Sequence, residues 1–533
     1  MISSDLMRVF RVSVLGALSL LFLTLLSRSA FRAQEVQDAT PLRQGATRLM
    51  IDAQQAGPGS FTLLKLSSDP FTNSSSQHAT EVEPDSFSFG STIVATFQAG
   101  RFYDGGSSDI GFATSTNYGK TWTNGFLPGI TNIQGAGNPY DRDSDPAVAY
   151  DPLHNVWMIS SLPIVDSGAA IPAVIVSRSL DGGLTWQDPV SVTGDVVSSD
   201  KDWIVCDTWS SSPHYGNCYV EWDDPSQGDY VYMSTSTDGG ATWGPPLTPS
   251  GGAYGLGGQP VVQPNGNVVV PFEGNSMQSF MSTDGGNSWS AVVTISSISD
   301  HGEAGNLRSS PLPSAAVDGG GTIYVTWQDC RFRTNCAEND IVLSTSTDGT
   351  HWTGPARVPE DSKTSTVDHF IPGIDADKTT SGATAHLALT YYAYPVSNCS
   401  VSSCRLRAYI MTSNTGGSTW TAPKQLEGGM QLTWLPITTL GYMVGDYIST
   451  SYSNGQAFPV IAVALAKSPS GKFNETIDTT TSGFTPQEGE PMYSSAGDVP
   501  VPNAKSDHAP RLEQEERGVK HPPAKKALKR AKR

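Results

Sequence analysis

One short phrase recurs six times along this chain of 533 residues. Its copies are "STNYGKTW" (Ser115–Trp122), "SLDGGLTW" (Ser179–Trp186), "STDGGATW" (Ser236–Trp243), "STDGGNSW" (Ser282–Trp289), "STDGTHW" (Ser346–Trp352) and "SNTGGSTW" (Ser413–Trp420). From tryptophan to tryptophan the interval runs from 46 to 68 residues, a period that belongs to propellers and solenoids. Alternating apolar runs such as "DYVYMSTS" and "DIVLSTS" precede the copies, which is strand patterning. The aspartate accepts backbone N–H groups in a tight turn. The glycine takes a positive φ at low cost. The tryptophan lays an apolar ring over the turn as the next strand begins. Each copy is therefore expected to join two antiparallel strands, and its role is structural.

A second pattern marks where each unit starts. A polar residue stands before an apolar run in "EPDSFSF" at Glu83, "SDPAVAY" at Asp145, "KDWIVCD" at Asp202, "GQPVVQP" at Gln259, "SSPLPSAAV" near Ser310, "DHFIPGI" at His369 and "GDYISTSY" at Asp446. Seven starts thus accompany six turns. The last unit holds two clear strands, and the N-terminal "SFTLLKLS" (Ser60–Ser67) is placed to complete it, which would leave no exposed sheet edge. The expected fold is an all-β β-propeller of seven four-stranded antiparallel blades, with six as the alternative. Only 16% of residues are charged and glycine and proline abound, which suits short strands and tight turns.

The repeated turns resemble the Asp-box, or BNR, pattern S-x-D-x-G-x-T-W of sialidases (neuraminidases) and other propellers. The resemblance covers roughly residues 80 to 465. It implies that Arg101, in "TIVATFQAGRFYDGG", is a substrate-carboxylate arginine. It makes Asp104, with Asp109 as the alternative, the general acid, and Tyr447 in "GDYIST" the counterpart of the family's tyrosine nucleophile. Arg308 and Arg331 are the remaining candidates for an arginine clamp. The chain departs from the family at the Phe/Tyr-Arg-x-Pro motif, whose place reads "EVEPDSF". Carboxylates there would repel a sialic acid carboxylate that a clamp of arginines should hold.

In a propeller the first strands line the axis, so the residues that open them converge. Glu83, Asp145, Asp202 and Asp446 would meet there with Gln259 and His369, flanked by Asp143, Asp200 and Asp368. Like charges at such a ring raise pKa values or recruit a cation. Oxygen ligands favour calcium, so calcium is the candidate ion and no cofactor is required.

The ends have a different character. Arg8 and Arg11 precede an apolar run from Val12 to Leu26, followed by small residues, the layout of a signal peptide over 1–33. Residues 34–59 read as a linker, 60–468 as the propeller, and 469–533 as a disordered linker and basic tail. Six cysteines form three local pairs, Cys206 with Cys218, Cys330 with Cys336 and Cys399 with Cys404, as expected for disulfides in an oxidising compartment. A net charge of −18 argues against nucleic acid as a partner. The chain reads as a secreted or envelope-associated monomer that touches a membrane only through an uncleaved signal segment. It is expected to bind a glycan or other extracellular polymer at the acidic mouth of its channel, and is a candidate glycoside hydrolase. The alternatives are a non-catalytic binding or adhesion propeller and an exo-sialidase.

Overall fold

The alternating runs ahead of the repeated turns form antiparallel strands in the computed structural model, which describes residues 61–165, 173–193, 198–485 and 492–501 and the backbone of 47–48. Tyr230–Ser236, for example, pairs along its whole length with Cys218–Asp224. In the turn that follows, Ser236 Oγ accepts the Gly240 N–H at 2.9 Å and donates to Asp238 at 2.9 Å. Asp238 in turn accepts the Thr242 N–H at 2.9 Å and hydroxyl at 2.6 Å. Asn117 accepts the Thr121 N–H at 2.9 Å in the first copy, and the Thr415 hydroxyl accepts the Thr419 N–H at 2.9 Å in the last. An acceptor oxygen at this position is therefore what the turn needs, not a charge.

The turn glycine has a second role, which the sequence pattern did not reveal. A Cβ on Gly183 would stand 2.8 Å from Val94, and one on Gly349 would stand 2.6 Å from Val269. Both contacts fall on the preceding repeat unit, within the same nine-stranded sheet for Gly183 and on the preceding sheet for Gly349. The first turn closes the circle, since a Cβ on Gly119 would meet Phe458 of the last sheet at 2.6 Å.

Five separate sheets of three or four strands follow one another in sequence order, together with a nine-stranded sheet and two short two-stranded ones. The first strands of the successive units touch in turn. Gln77–Phe89 packs on Arg142–Asp151, then come Asp200–Cys206, Val261–Val262, Ser314–Val317, Asp368–Ala376 and Ser449–Ser453, which returns to Gln77–Phe89. The molecule is an all-β propeller. Side chains tie several inner strands to the next unit. Asp85 accepts the Val148 N–H at 2.8 Å, Gln259 accepts the Ala315 N–H, Ser314 accepts the Ile374 N–H at 3.0 Å and Asp375 accepts the Tyr452 N–H at 2.7 Å. The hydrophobic core lies between sheets, where Met158 and Val176 of one unit meet Val220 and Trp222 of the next.

Two sequence expectations need correction. Five blades stand as separate sheets, not seven or six, because the first two units are joined into the nine-stranded sheet through the pair Ser107↔Asp143. The ordered body also runs beyond Ser468. Glu475–Thr480 is a fully buried strand between Gln456–Ala464 and the N-terminal strand Leu63–Lys65. Its sequence "ETIDTT" looks like linker because Ile477 is its one apolar side chain, although all six residues are buried and the Thr476 hydroxyl donates to Asp478 at 2.6 Å. The three disulfides pair as expected. The signal-peptide and basic-tail segments lie outside the described residues. No helix among the described residues is long and apolar enough to cross a membrane.

Candidate functional site

Four inner strands open on a break in register, at Val82/Asp85, Ser144/Ala147, Asp200/Trp203 and Phe370/Gly373. Each break carries a non-glycine residue at positive φ: Glu83 at 53°, Asp145 at 48°, Lys201 at 49° and Ile371 at 51°. An extra residue at such a bulge re-aims a side chain, and the left-handed backbone costs about 1–3 kcal/mol per residue. At the first three positions the bulged residue joins one buried cluster on the axis.

Asp446 is its centre. Arg308 grips that carboxylate with two bonds, the Nε bond being 2.6 Å, and the Lys201 ammonium pairs with the same Oδ2 that the Arg308 Nη2 uses. Lys201 also lies 3.9 Å from Glu83, which accepts a bond from the Gln98 amide. Arg101 donates to the Gln98 oxygen at 3.0 Å and to the Gly106 carbonyl at 3.3 Å. None of Glu83, Asp145, Lys201, Arg308 or Asp446 is more than 5% exposed. Burial opposes ionisation of all three acids, but they settle differently. Arg308 and Lys201 hold Asp446 well below the usual carboxylate range. Burial and the neighbouring Asp145 push Glu83 well up. Against its own burial, Lys201 and a hydrogen bond from Glu83 keep Asp145 low. The cluster thus favours the ionised form of Asp446 and Asp145 and the protonated form of Glu83, beside the cations Arg101, Lys201 and Arg308.

This corrects the expected open acidic mouth. The ring is of mixed charge and closed, and its cation Lys201 was missed. In "DKDW" the flanking aspartates looked like the axial groups, but the bulge turns Lys201 onto Asp446. Asp202 is buried, and burial pushes its carboxyl well up, opposed by the Ser160 hydroxyl. A short hairpin covers the same face. Ile437 exchanges bonds of 2.9 and 3.0 Å with the Gln77 side chain, Thr439 N–H donates to the Tyr103 carbonyl at 3.0 Å, and Arg308 N–H donates to the Tyr442 carbonyl at 2.7 Å.

The residues implied by the sialidase resemblance converge only in part. Asp104 is half exposed and accepts a bond of 2.7 Å from Arg142. Asp109 is buried near Asp143, and burial followed by that neighbour pushes its carboxyl well up. The Tyr447 hydroxyl donates to the Pro146 carbonyl at 3.2 Å, and its ring meets Trp203 edge-on. Burial, then Glu83 and Asp145, push that phenol well up. Arg331 grips Asp329, its Nε bond being 2.8 Å. Of the arginine candidates, Arg101 and Arg308 join the axial cluster.

His369 belongs to another group. Its ligand atoms and those of Asp340 and Glu360 lie within 4.8 Å of one another. Two guanidiniums fill that space, since Arg333 and Arg357 each approach Asp340 at 2.9 Å. Their charge opposes a metal ion, and burial lowers the His369 pKa.

Beyond the axial cluster lies a cavity of about 530 Å³. The inner strands line it, two or more residues further along than the ion network, with Asp85, Trp203, Gln259 and Ile448 in its wall. Its exposed lining residues, Phe89, Tyr118, Thr379 and Asn454, mark its opening. Tyr118 belongs to the first repeated turn, so the cavity opens on the face of the turns, away from the strand starts.

No family model matches this chain, and no curated protein matches it. Solved structures do. A protein of unknown function from Dyadobacter fermentans aligns at 16% identity with a TM-score of 0.42, over 67% of this chain and all of that one. The Hadza microbial sialidase Hz136 aligns at 14% identity with a TM-score of 0.40, over 76% of this chain and 66% of that one. The intramolecular trans-sialidase from Ruminococcus gnavus aligns at 11% identity with a TM-score of 0.36, over 77% of this chain and 96% of that one.

Proposed function

We propose that this chain is an exported, sialidase-like Asp-box propeller that binds a glycan and does not hydrolyse it. The observation that carries this reading is the closed ion network on the strand-start face. Hydrolysis of a sialoside would need an acid, an arginine clamp and a nucleophile around one ligand. Instead Asp104 is drawn outward onto Arg142 and Tyr447 is bonded to a backbone carbonyl. Arg308 is consumed by Asp446 and Arg331 by Asp329. We read the nine-stranded sheet as two blades, because one residue pair joins its halves; the ring then has seven. The N-terminal apolar segment is read as the export signal, and the three disulfides fit an oxidising compartment.

The test uses the purified mature protein against a glycan array and against aryl glycosides, one sialoside and several neutral sugars, with and without calcium. Retention of at least one glycan, unaffected by chelation and without turnover, is the expected result. Turnover abolished by Asp104→Asn or Tyr447→Phe would overturn the reading in favour of a glycosidase. An array with no retained glycan would overturn the glycan itself.

A further inference from the structure

We propose that the ligand site is the axial cavity on the face of the repeated turns, and that it takes a neutral saccharide of one to a few rings. This rests on the glycan-binding reading above and adds the place and the chemical class.

Size is the first argument. Small-molecule sites fall between about 300 and 1,000 Å³, and this cavity of about 530 Å³ lies inside that range. The buried ion network lies toward the opposite face, and the exposed lining residues mark an entrance on the face of the turns.

The lining is the second. Inner strands of three units place Ser86, Ser88, Ser314, Ser449, Thr450 and Ser451 in the wall. Most of these hydroxyls bond to one another or to backbone, as where Ser86 meets Ser449 at 3.0 Å and Ser451 at 2.7 Å. Each hydroxyl still has a lone pair or a rotatable hydrogen to offer. The amide oxygen of Gln259 is taken by the Ala315 N–H, which fixes the side chain and leaves its NH2 as a donor to the cavity. Asp85 and Asp375 are held in place by Val148 and Tyr452 N–H groups. Acceptors, donors and hydroxyls in such a mixture match a polyol. They do not match an apolar ligand.

The third argument is at the rim. Phe89 and Tyr118 are 39% and 40% exposed where the cavity opens, an unusual place for two large rings unless something covers them. Further in, the Lys378 ammonium sits 5.1 Å from the Phe87 ring centre and 5.5 Å from that of Trp209, and donates to the Thr208 hydroxyl at 3.3 Å. Aromatic faces at an entrance and hydroxyls behind them suit the apolar face and polar edge of a sugar ring.

Charge excludes the sialic acid class. Asp85, Asp375 and Asp377 line the cavity, and Lys378 is the one cation among the described lining residues. An anionic sugar would enter a cavity whose lining holds three acidic groups and one cation, whereas a neutral sugar is indifferent to that excess.

Binding is measured by calorimetry and array retention, with oligomers of glucose, galactose, mannose and N-acetylglucosamine as probes and sialyllactose as the anionic comparison. The double variant Phe89→Ala/Tyr118→Ala changes exposed rings and leaves the sheets intact. It is expected to weaken retention of the neutral probe by about tenfold, from the loss of two ring contacts. Gln259→Leu is expected to weaken it further, and Tyr103→Ala on the strand-start face should leave it unchanged. If the wild type retains a neutral probe that both cavity variants still retain fully, the cavity is not the site, while the binding reading stands. Preference for sialyllactose over all neutral probes would also overturn the proposal. If the wild type retains nothing, the failure belongs to the binding reading.

Discussion

Arg308 and Asp446 form a buried ion pair, and the physics of such pairs is asymmetric. Breaking one by removing a partner strands the other charge, at a cost of about 3–5 kcal/mol. Arg308→Ala is therefore expected to destabilise the fold by about that much in urea unfolding at neutral pH. Arg308→Lys keeps the charge and loses the two-bond grip, so it should cost clearly less, about 1–2 kcal/mol. Equal effects of the two substitutions would mean that packing, not charge, is what Arg308 supplies. Asp104 makes the contrast. Its pair with Arg142 is half exposed, and exposed pairs contribute about 0–1 kcal/mol. Asp104→Asn should move the unfolding midpoint hardly at all and leave glycan retention intact. At this scale the sequence was only half readable. Arg308 was named without a partner, and Lys201 was overlooked between two aspartates. Which of three consecutive polar residues faces the axis depends on a bulge, and a bulge leaves no periodic trace in the sequence.

The repeated turn is the element from which the rest was legible, because its spacing and its flanking alternation are local properties. Its tolerance is also written in the copies. Asn117 and Thr415 replace the aspartate and keep the bond to the N–H four residues on. Asp238→Asn should then cost well under 1 kcal/mol, while Asp238→Ala removes both bonds to Thr242 and should cost about 1–2 kcal/mol. Chemical denaturation of the two variants separates charge from acceptor. The glycine that ends the turn is less forgiving. Gly183 has φ of 81°, and an added Cβ would press on the β-branched Val94 at 2.8 Å. Left-handed strain of about 1 kcal/mol combines with overpacking of about 1–3 kcal/mol. Gly183→Ala is expected to lower stability by about 2–4 kcal/mol, more than any aspartate substitution in the same turn. A milder effect than that of Asp238→Ala would remove the docking role assigned to this glycine. That role was invisible in the sequence because the surface it meets belongs to the neighbouring unit.

Across the whole molecule, the axis explains both what sequence reading reached and what it did not. The inner strands were found because each starts with a polar residue before an apolar run. The strand Glu475–Thr480 was missed because all its side chains but Ile477 are hydroxyls and carboxyls, buried in a sheet. The same habit recurs throughout, and it has a consequence for stability. Burial raises Glu81 and Asp143 to about 8, Asp85 to about 7, and Asp375 and Asp478 to about 6. It pushes Glu221, Asp223 and Glu475 well up too. In the unfolded chain these groups release their protons near pH 4. Between about pH 4 and pH 8 the native state therefore holds more protons than the unfolded state, and stability falls as pH rises. Asp446 and the turn aspartates Asp181, Asp238 and Asp284 are shifted the other way, so their contribution is lost only as pH drops below about 4. The two sets together place maximum stability on the acid side, near pH 4 to 5. Thermal unfolding followed by near-ultraviolet circular dichroism should give a higher midpoint at pH 4.5 than at pH 8. In a folded body of this length each kcal/mol lost over that range corresponds to roughly 1 °C. A midpoint that rises from pH 4.5 to pH 8 would mean that these carboxyls are ionised and paired in the native state.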